Sequence, residues 1–356
     1  LPIWCPEHGV RKAHVSSDAR YFRWQRDFLK PGDLPQSFQS RTEFGCPYDC
    51  GLCPDHEQHS CLALVEINDV CDLTCPVCFA ESSPKRTTNL PLTTIERMFD
   101  ALVASEGQPD VVQISGGEPT LHPQFFDVLR LARSKPIRHL MINTNGVRLA
   151  QDPDFAAQLA EFRVGTEVYL QFDSLRRDAL MQIRGADLTR IRQQALENLE
   201  RHHISTTLVC VVKKGANDDE CAEIIDHALH WRCVRGVTFQ PVQEAGRVEG
   251  YESKANRALL TDIRRDIVTK SSIFGENDII PLPCNPGGIA IGYGLRNGPR
   301  VQPVTSIFSQ DDLLDAAPNA ITFEKYPELQ KRLFELFSLS TGPDSMVERL
   351  SALLCC

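Results

Sequence analysis

The amino-acid sequence predicts an α/β fold built on a partial (β/α)6 barrel over residues 62–243, with a cysteine-rich metal module at 1–61 and a mostly helical extension at 244–356. Three observations point there. Short apolar runs alternate with stretches of helical periodicity six times in succession between Leu62 and Gln243, the mark of a parallel sheet with helical crossovers. Residues 1–61 are rich in Pro, Gly, His and Cys and lack sustained periodicity. After Gln243 the strand-like runs give way to a linker and amphipathic helices.

The 356 residues suffice for one large domain or two ordinary ones, and 42% hydrophobic with 24% charged residues allows a sizeable core. A net charge of -9 argues against nucleic acid as the main partner, because that needs a concentrated basic face. No apolar run approaches the roughly 18 residues that cross a bilayer, and Leu1-Pro2-Ile3-Trp4-Cys5 does not read as a secretory leader, so a cytoplasmic location is expected. Most of the 14 cysteines fall before Phe79 at short, clustered spacings, which favours metal ligation in a reducing compartment over disulfides.

Within the N-terminal module, Cys46-Pro47-Tyr48-Asp49-Cys50-Gly51-Leu52-Cys53 places three cysteines in one loop, and Cys61 follows as a fourth candidate ligand. Four thiolates close an iron-sulfur cluster and suit it to electron transfer or structure. Zinc is the alternative, with His56 and His59 nearby. Either metal would carry much of the module's folding energy. Cys5 in Cys5-Pro6-Glu7-His8-Gly9 stands alone and would become a ligand only with partners ahead of residue 1; the chain opens without Met and is expected to start late.

The barrel begins with a buried strand, Leu62 to Ile67, which delivers the loop Cys71-Asp72-Leu73-Thr74-Cys75-Pro76-Val77-Cys78-Phe79. A helix carries Ile95, Met98, Phe99, Leu102 and Val103 on one stripe, with Thr93 or Thr94 as its cap and Gly107 at its end. The next strand, Val111 to Ile114, runs into Ser115-Gly116-Gly117-Glu118-Pro119. Further strands are expected at 139–143, 167–172, 206–212 and 236–240, with helices near 123–134, 152–161, 188–203 and 219–231. Cys210, Cys221 and Cys233 sit inside these patterns and read as core thiols.

Chemistry concentrates in the Cys71 loop. Thiolates of Cys71, Cys75 and Cys78, spaced four and three residues apart, can each hold one iron of a 4Fe-4S cube and leave the fourth iron without a protein ligand. An open iron can chelate the amino and carboxylate groups of S-adenosylmethionine, so that one electron cleaves a sulfur-carbon bond. A structural zinc loop would need a fourth ligand. Polar residues at the C-terminal ends of parallel strands line one mouth of a barrel. That rule selects Gly116, Gly117 and Glu118, then Asn143 and Asn145, Gln171 and Asp173, Lys213, and Gln240. Each has an ordinary alternative: Asn145-Gly146 as a turn, Asp173 as a helix cap, Lys213 and Lys214 as a solvated pair. Arg184 is either a carboxylate clamp or a surface arginine.

Beyond the barrel, 246–253 reads as a linker, a helix is expected near 261–271, and 280–288 is irregular with Cys284 in a Pro/Gly loop. Helices near 327–338 and 344–354 precede the terminal Cys355-Cys356. The stripe of Leu329, Leu333, Phe334, Leu336 and Phe337 favours packing on the barrel over peripheral membrane contact. Cys284, Cys355 and Cys356 are candidates for a second auxiliary cluster.

The Cys71 loop with Gly116-Gly117-Glu118-Pro119 resembles the radical SAM superfamily. Together with the Cys5 and Cys46 motifs, Asn143-Thr144-Asn145-Gly146, Gln171-Phe172-Asp173 and Gln240-Pro241-Val242, nearly the whole chain is similar to one branch. That branch contains the archaeal tetraether lipid synthase and relatives described as dihydropterin methyltransferases. The resemblance implies a SAM-binding 4Fe-4S cluster, one or two auxiliary 4Fe-4S clusters, a mononuclear iron at the N-terminus, and rim residues that hold SAM or substrate. The CxxC expected before Cys5 and the cysteine-containing tail after Cys356 are not in this sequence. The implied reaction is hydrogen abstraction from an unactivated carbon and carbon-carbon bond formation, first on a lipid alkyl chain, alternatively as methylation of a pterin or other small heterocycle. The electron would come from a reductant such as ferredoxin or flavodoxin. A reading of another class, a non-catalytic iron-sulfur electron-transfer or scaffold protein, is opposed by the open cluster spacing.

Overall fold

In a computed structural model the protein is described at residues 2–7, 9–12, 14–28, 34–37, 43–44, 59–283, 285–297, 300–311 and 313. Cys46, Cys50, Cys53, His56, Cys284, Cys355, Cys356 and the two C-terminal helices therefore lie outside the described residues.

The chain opens with an antiparallel hairpin, β1 Pro2–Cys5 against β2 Gly9–Lys12, and a short helix α1 Ala19–Trp24 capped by the Asp18 carboxylate. The barrel sheet follows: β3 Leu62–Glu66, then, past a two-residue strand β4 Val77–Cys78, β5 Val111–Ser115, β6 His139–Thr144, β7 Thr166–Gln171, β8 Thr206–Val212 and β9 Val234–Pro241. All six sheet strands are parallel, in the order β3-β5-β6-β7-β8-β9, so each strand lies beside its predecessor. This is the open, partial barrel expected, with β3 and β9 as unjoined edges.

Helices α2 Leu92–Glu106, α3 Phe125–Arg133, α4 Val147–Gln151, α5 Pro153–Leu159, α6 Arg177–Arg184, α7 Thr189–Arg201 and α8 Cys221–Ala228 fill the crossovers. Three differ from the sequence reading. The helix expected at 152–161 is preceded by a further short one, α4, and the Asp152 side chain between them caps the new start at Pro153. The proposed Thr93/Thr94 cap falls inside α2, whose N-cap residue is Pro91, with no side-chain cap. α6 was not expected; Ala179, Leu180 and Ile183 bury its inner face and Gly185, at φ +74, ends it in the left-handed conformation.

The core lies between the outer face of the sheet and the helices. Val65, Val112, Ile114, Leu140, Ile142, Val168, Leu170 and Leu208 meet Ile95, Phe99, Leu129, Leu149, Leu196 and Ile224 there. Because strand side chains alternate, the intervening residues face the concave side. Cys210 and Cys233 join this core, and Cys221 a smaller one, as their apolar settings suggested.

After β9 the segment expected as a linker carries a strand, β10 Arg247–Val248, paired antiparallel with β4: Arg247 faces Cys78 and Val248 faces Val77. The edge strands do not pair, but the chain leaving the last one returns to the loop leaving the first. Helices α9 Ser253–Asn256 and α10 Leu260–Lys270 follow, then hairpins β11 Ile279–Pro281 with β12 Ala290–Gly292 and β13 Gly294–Asn297 with β14 Arg300–Pro303. The region read as irregular, 280–288, holds the end of β11 and then the connection to β12. Phe28 packs with Ile280, Val304 and Phe308, so early and late segments share a small core.

Candidate active site

The Cys71 loop leaves β3 at the C-terminal rim of the sheet, and its entry is fixed by backbone contacts with later segments. Isolated bridges join Asn68 to Asn89 and Val70 to Ser83. The two glycines of the motif after β5 press against it: a Cβ on Gly116 would stand 2.4 Å from Asn68 O, and one on Gly117 2.2 Å from Val70 O. Gly117 N and Glu118 N donate to Asn68 O and Val70 O at 2.9 and 2.7 Å. Glycine is required because backbone lies against backbone.

Cys71 and Cys75 are buried and Cys78 is half-buried. Leu73 N points at Cys71 Sγ at 3.5 Å, and Asn145 Nδ2, which donates to Asp72 Oδ1 at 2.6 Å, lies 3.9 Å from the same sulfur. Burial pushes the Cys71 thiol up to about 12, with Leu73 N–H opposing it. Burial also raises Cys75, against the charge and hydrogen bond of Arg184. Cys75 acts on Cys71 and Cys78 on Cys75, so the three sulfurs share one electrostatic environment. Among the described residues no three His, Cys, Asp or Glu side chains converge as ligands of one ion would. Three thiolates leave a structural zinc one ligand short, whereas a cube takes one thiolate per iron, so the donor set fits a cluster with one open iron.

Behind Cys75 lies a buried ion network. Asp173, at φ +65 and fully buried, receives Arg184 Nε and Nη2 at 2.7 and 2.6 Å and Val211 N at 3.2 Å. Burial alone would raise the Asp173 carboxyl, but Arg184, then Arg192, hold it below its ordinary value. Arg192 is 2% exposed; it donates to Asn145 O and sits 3.5 Å from Asp173 Oδ2. Burial lowers Arg192 to about 10, which leaves it cationic at neutral pH.

The rim residues divide into two groups. The Glu118 carboxylate is buried and taken up by Thr120 N and Oγ1, Thr144 Oγ1 and Asn145 N; it ties the end of β5 to that of β6. Burial raises its pKa, against those bonds. Asp173 is engaged by arginines, and Lys213 Nζ donates to Gly250 O at 2.6 Å. Arg184 is no surface residue: it is buried and its fork clamps a carboxylate of the protein itself, that of Asp173. Asn143, Gln171 and Gln240 remain on the open concave side. Asn143 Nδ2 donates to Ser115 Oγ at 3.3 Å and Gln240 Nε2 to Tyr169 Oη at 3.1 Å.

Two residues at this site escaped the sequence reading. Arg192 looked like any arginine of an amphipathic helix. Arg247, in the supposed linker, donates from Nε to Cys75 O at 2.6 Å and from Nη2 to Ser82 O at 2.8 Å. Cys61 is half-buried at the entry to β3, while His59 Nδ1 is paired with Glu106 at 3.1 Å. Cys5 closes β1.

The model of the radical SAM superfamily matches residues 65–228, the span that holds the three-cysteine loop, the glycine pair and the ion network. The chain belongs to the radical SAM superfamily. Superfamily membership makes it an enzyme whose cofactors are a 4Fe-4S cluster and S-adenosylmethionine, and Cys71, Cys75 and Cys78 are the residues here that fit the cluster. The chain is 31% identical over 283 residues to 7,8-dihydro-6-hydroxymethylpterin dimethyltransferase of Methanocaldococcus jannaschii, covering 78% of this chain and 55% of that protein. It is 28% identical over 236 residues to GTP 3',8-cyclase of Chlorobaculum tepidum, covering 64% of this chain and 69% of the relative. It thus spans little more than half of the pterin enzyme's length. Among solved structures, Streptococcus suis SuiB bound to S-adenosylmethionine aligns with a TM-score of 0.45 and 18% identity over 58% of this chain and 45% of that one. Among the described residues no helix is long and apolar enough to cross a membrane.

Proposed function

We propose that this radical SAM enzyme forms a carbon-carbon bond on a polar heterocycle of the pterin class, by transfer of a one-carbon unit. The concave face of the sheet carries this reading. Strand register places Glu66, Ser115, Asn143, Tyr169 and Thr207 in one row across it, with Gln113, Gln171, Thr238 and Gln240 on the same side. Hydrogen-bonding groups outnumber apolar ones, of which Leu62, Leu64, Val111, Met141, Val209 and Val211 are the members. His139 Nε2 contacts Glu167 at 3.0 Å and Thr207 bonds the same carboxylate, so the base of the face is polar too.

A flat heterocycle needs several edge partners, and a face built to hydrogen-bond its ligand discriminates strongly against an alkyl chain that leaves those groups unpaired. The alkyl substrate expected from the sequence would desolvate them without return. The identity to a dihydropterin dimethyltransferase supports the same class. The bound cluster and S-adenosylmethionine would supply a 5'-deoxyadenosyl radical once one electron arrives from a donor such as ferredoxin or flavodoxin. Gly116, Gly117, Asn143, Gln171 and Gln240 line the rim where that radical would meet substrate. Cys46, Cys50, Cys53 and Cys61 would hold an auxiliary cluster, and the module, barrel and extension would divide near residues 61 and 243.

The test is anaerobic reconstitution followed by reduction with S-adenosylmethionine in the presence of a dihydropterin or a long-chain glyceryl ether lipid. Dihydropterin-dependent 5'-deoxyadenosine, with the pterin heavier by one or two methyl groups, is expected. Stimulation by the lipid and not by the pterin would overturn the substrate class.

A further inference from the structure

The ion network behind Cys75 is not charge-balanced. Two guanidiniums, Arg184 and Arg192, share the single Asp173 carboxylate, all three at most 7% exposed at the side chain. Arg184 uses its bonds on Asp173 and on the Cys75 sulfur. Arg192 does not complete its set: Nη1 reaches Asn145 O, while Nε and Nη2 have no hydrogen-bond partner, and Nη2 lies 3.5 Å from Asp173. A buried cation with unsatisfied donors is costly unless something opposes its charge. Nearby opposition comes from Asp173 and from the position of Cys75, both of which act on Arg192 electrostatically. Asn145, whose oxygen Arg192 holds, contacts Cys71 with its amide, so the same cation is linked to Cys71 through Asn145 and acts on Cys75 through space.

We propose that Arg192 is a positioning residue for electron entry: its buried, uncompensated charge behind Asp173, Arg184 and Cys75 raises the reduction potential of the cluster held by Cys71, Cys75 and Cys78. One electron from an external low-potential donor adds one negative charge on the ligand side of Arg192. No bond forms or breaks and no proton moves, so the charge is met by fixed cations alone. In a buried setting such a contribution is far less screened than at a surface.

The proposal rests on the cluster reading, and an EPR-monitored redox titration of the reconstituted full chain separates the two. A wild-type protein with no reducible four-iron signal would remove the cluster reading itself. With the signal present, Arg192→Met is expected to lower the reduced-to-oxidised ratio at fixed poise roughly tenfold, about 59 mV for one electron. Arg192→Lys keeps the charge and should stay near wild type. Asp173→Asn, which suits the left-handed backbone, removes the opposing charge and should shift the ratio upward. Opposite shifts from Arg192→Met and Asp173→Asn at unchanged iron content support the role. An unchanged midpoint in Arg192→Met, or shifts of the same sign in both variants, would overturn it. If Arg192→Met fails to load iron, the sign of the Asp173→Asn shift decides alone.

Discussion

Arg247 donates to the backbone oxygen of Cys75 across 172 residues of sequence, at 2.6 Å, and with its other nitrogen holds Ser82 O. A guanidinium from beyond the last barrel strand thus clamps the loop after the first. Around it Glu249 N donates to Pro76 O at 2.9 Å, and a Cβ on Gly246 would lie 2.2 Å from Phe79 O. The cysteine loop is therefore finished by tertiary contacts rather than by its own turns.

Arg247→Met is expected to cost about 2 kcal/mol of stability, the scale of hydrogen bonds made by a charged group. The larger effect should fall on iron retention. Challenge of the reconstituted protein with an iron chelator should release metal several-fold faster than from wild type. Equal release rates would show that β4 and β10 hold the loop unaided.

Much of this was legible in the sequence, for a physical reason. A buried parallel strand must be an apolar run, and a crossover helix must show an apolar stripe, so the six units of the barrel stand out between Leu62 and Pro241. The three cysteines of the open cluster announce themselves by spacing. What failed to show depends on direction. Strand ends locate Glu118, Asp173 and Lys213 at the rim, but whether a side chain enters the mouth or turns into the protein is decided by partners distant in sequence: Asn145, Arg184 and Gly250. β10, at two residues, carries no pattern at all. Arg192 shares the composition of a solvated helix face, and only the docking of α7 on Asn145 reveals its burial.

Two glycine substitutions should part company. Gly117→Ala places its methyl against Val70 O, a backbone atom that cannot rotate away, and should cost about 3 kcal/mol with loss of iron loading. Gly215→Ala meets nothing within 4 Å and suffers only the left-handed backbone at φ +80, about 1 kcal/mol. Urea midpoints of the two variants measured side by side test this; equal losses would mean that the close approach at Gly117 is relieved by a shift of the loop.

Acid should weaken the barrel wall through His227. Its ring stacks on Phe172 at 5.3 Å, and its Nε2 accepts from Trp231 Nε1 at 3.3 Å, an arrangement that requires the neutral ring. Burial, then the charge of His230, lowers its pKa. The unfolded chain takes up this proton near pH ~6.5 while the folded protein still refuses it, so stability falls as pH drops through that value. His227→Phe keeps the stack and removes the proton. Thermal melts between pH 7.5 and 5.5, a window set roughly by that unfolded value, should show a smaller acid loss in the variant; parallel losses would place the acid sensitivity elsewhere.

Cysteine replacements test the division of labour between the two loops. Cys75→Ala removes one corner of the open cluster, so 5'-deoxyadenosine formation should vanish while any auxiliary iron signal stays. Cys50→Ala should do the reverse: some S-adenosylmethionine cleavage persists, because the Cys71 loop is intact, but product is lost. Iron and sulfide counts give the stoichiometry. The wild type should hold about eight irons or more, and each variant about four fewer, since each cube carries four. A wild type with about four irons and full 5'-deoxyadenosine turnover would leave zinc, or no metal, for Cys46, Cys50, Cys53 and Cys61. Undiminished cleavage in Cys75→Ala would remove the open cluster from the Cys71 loop.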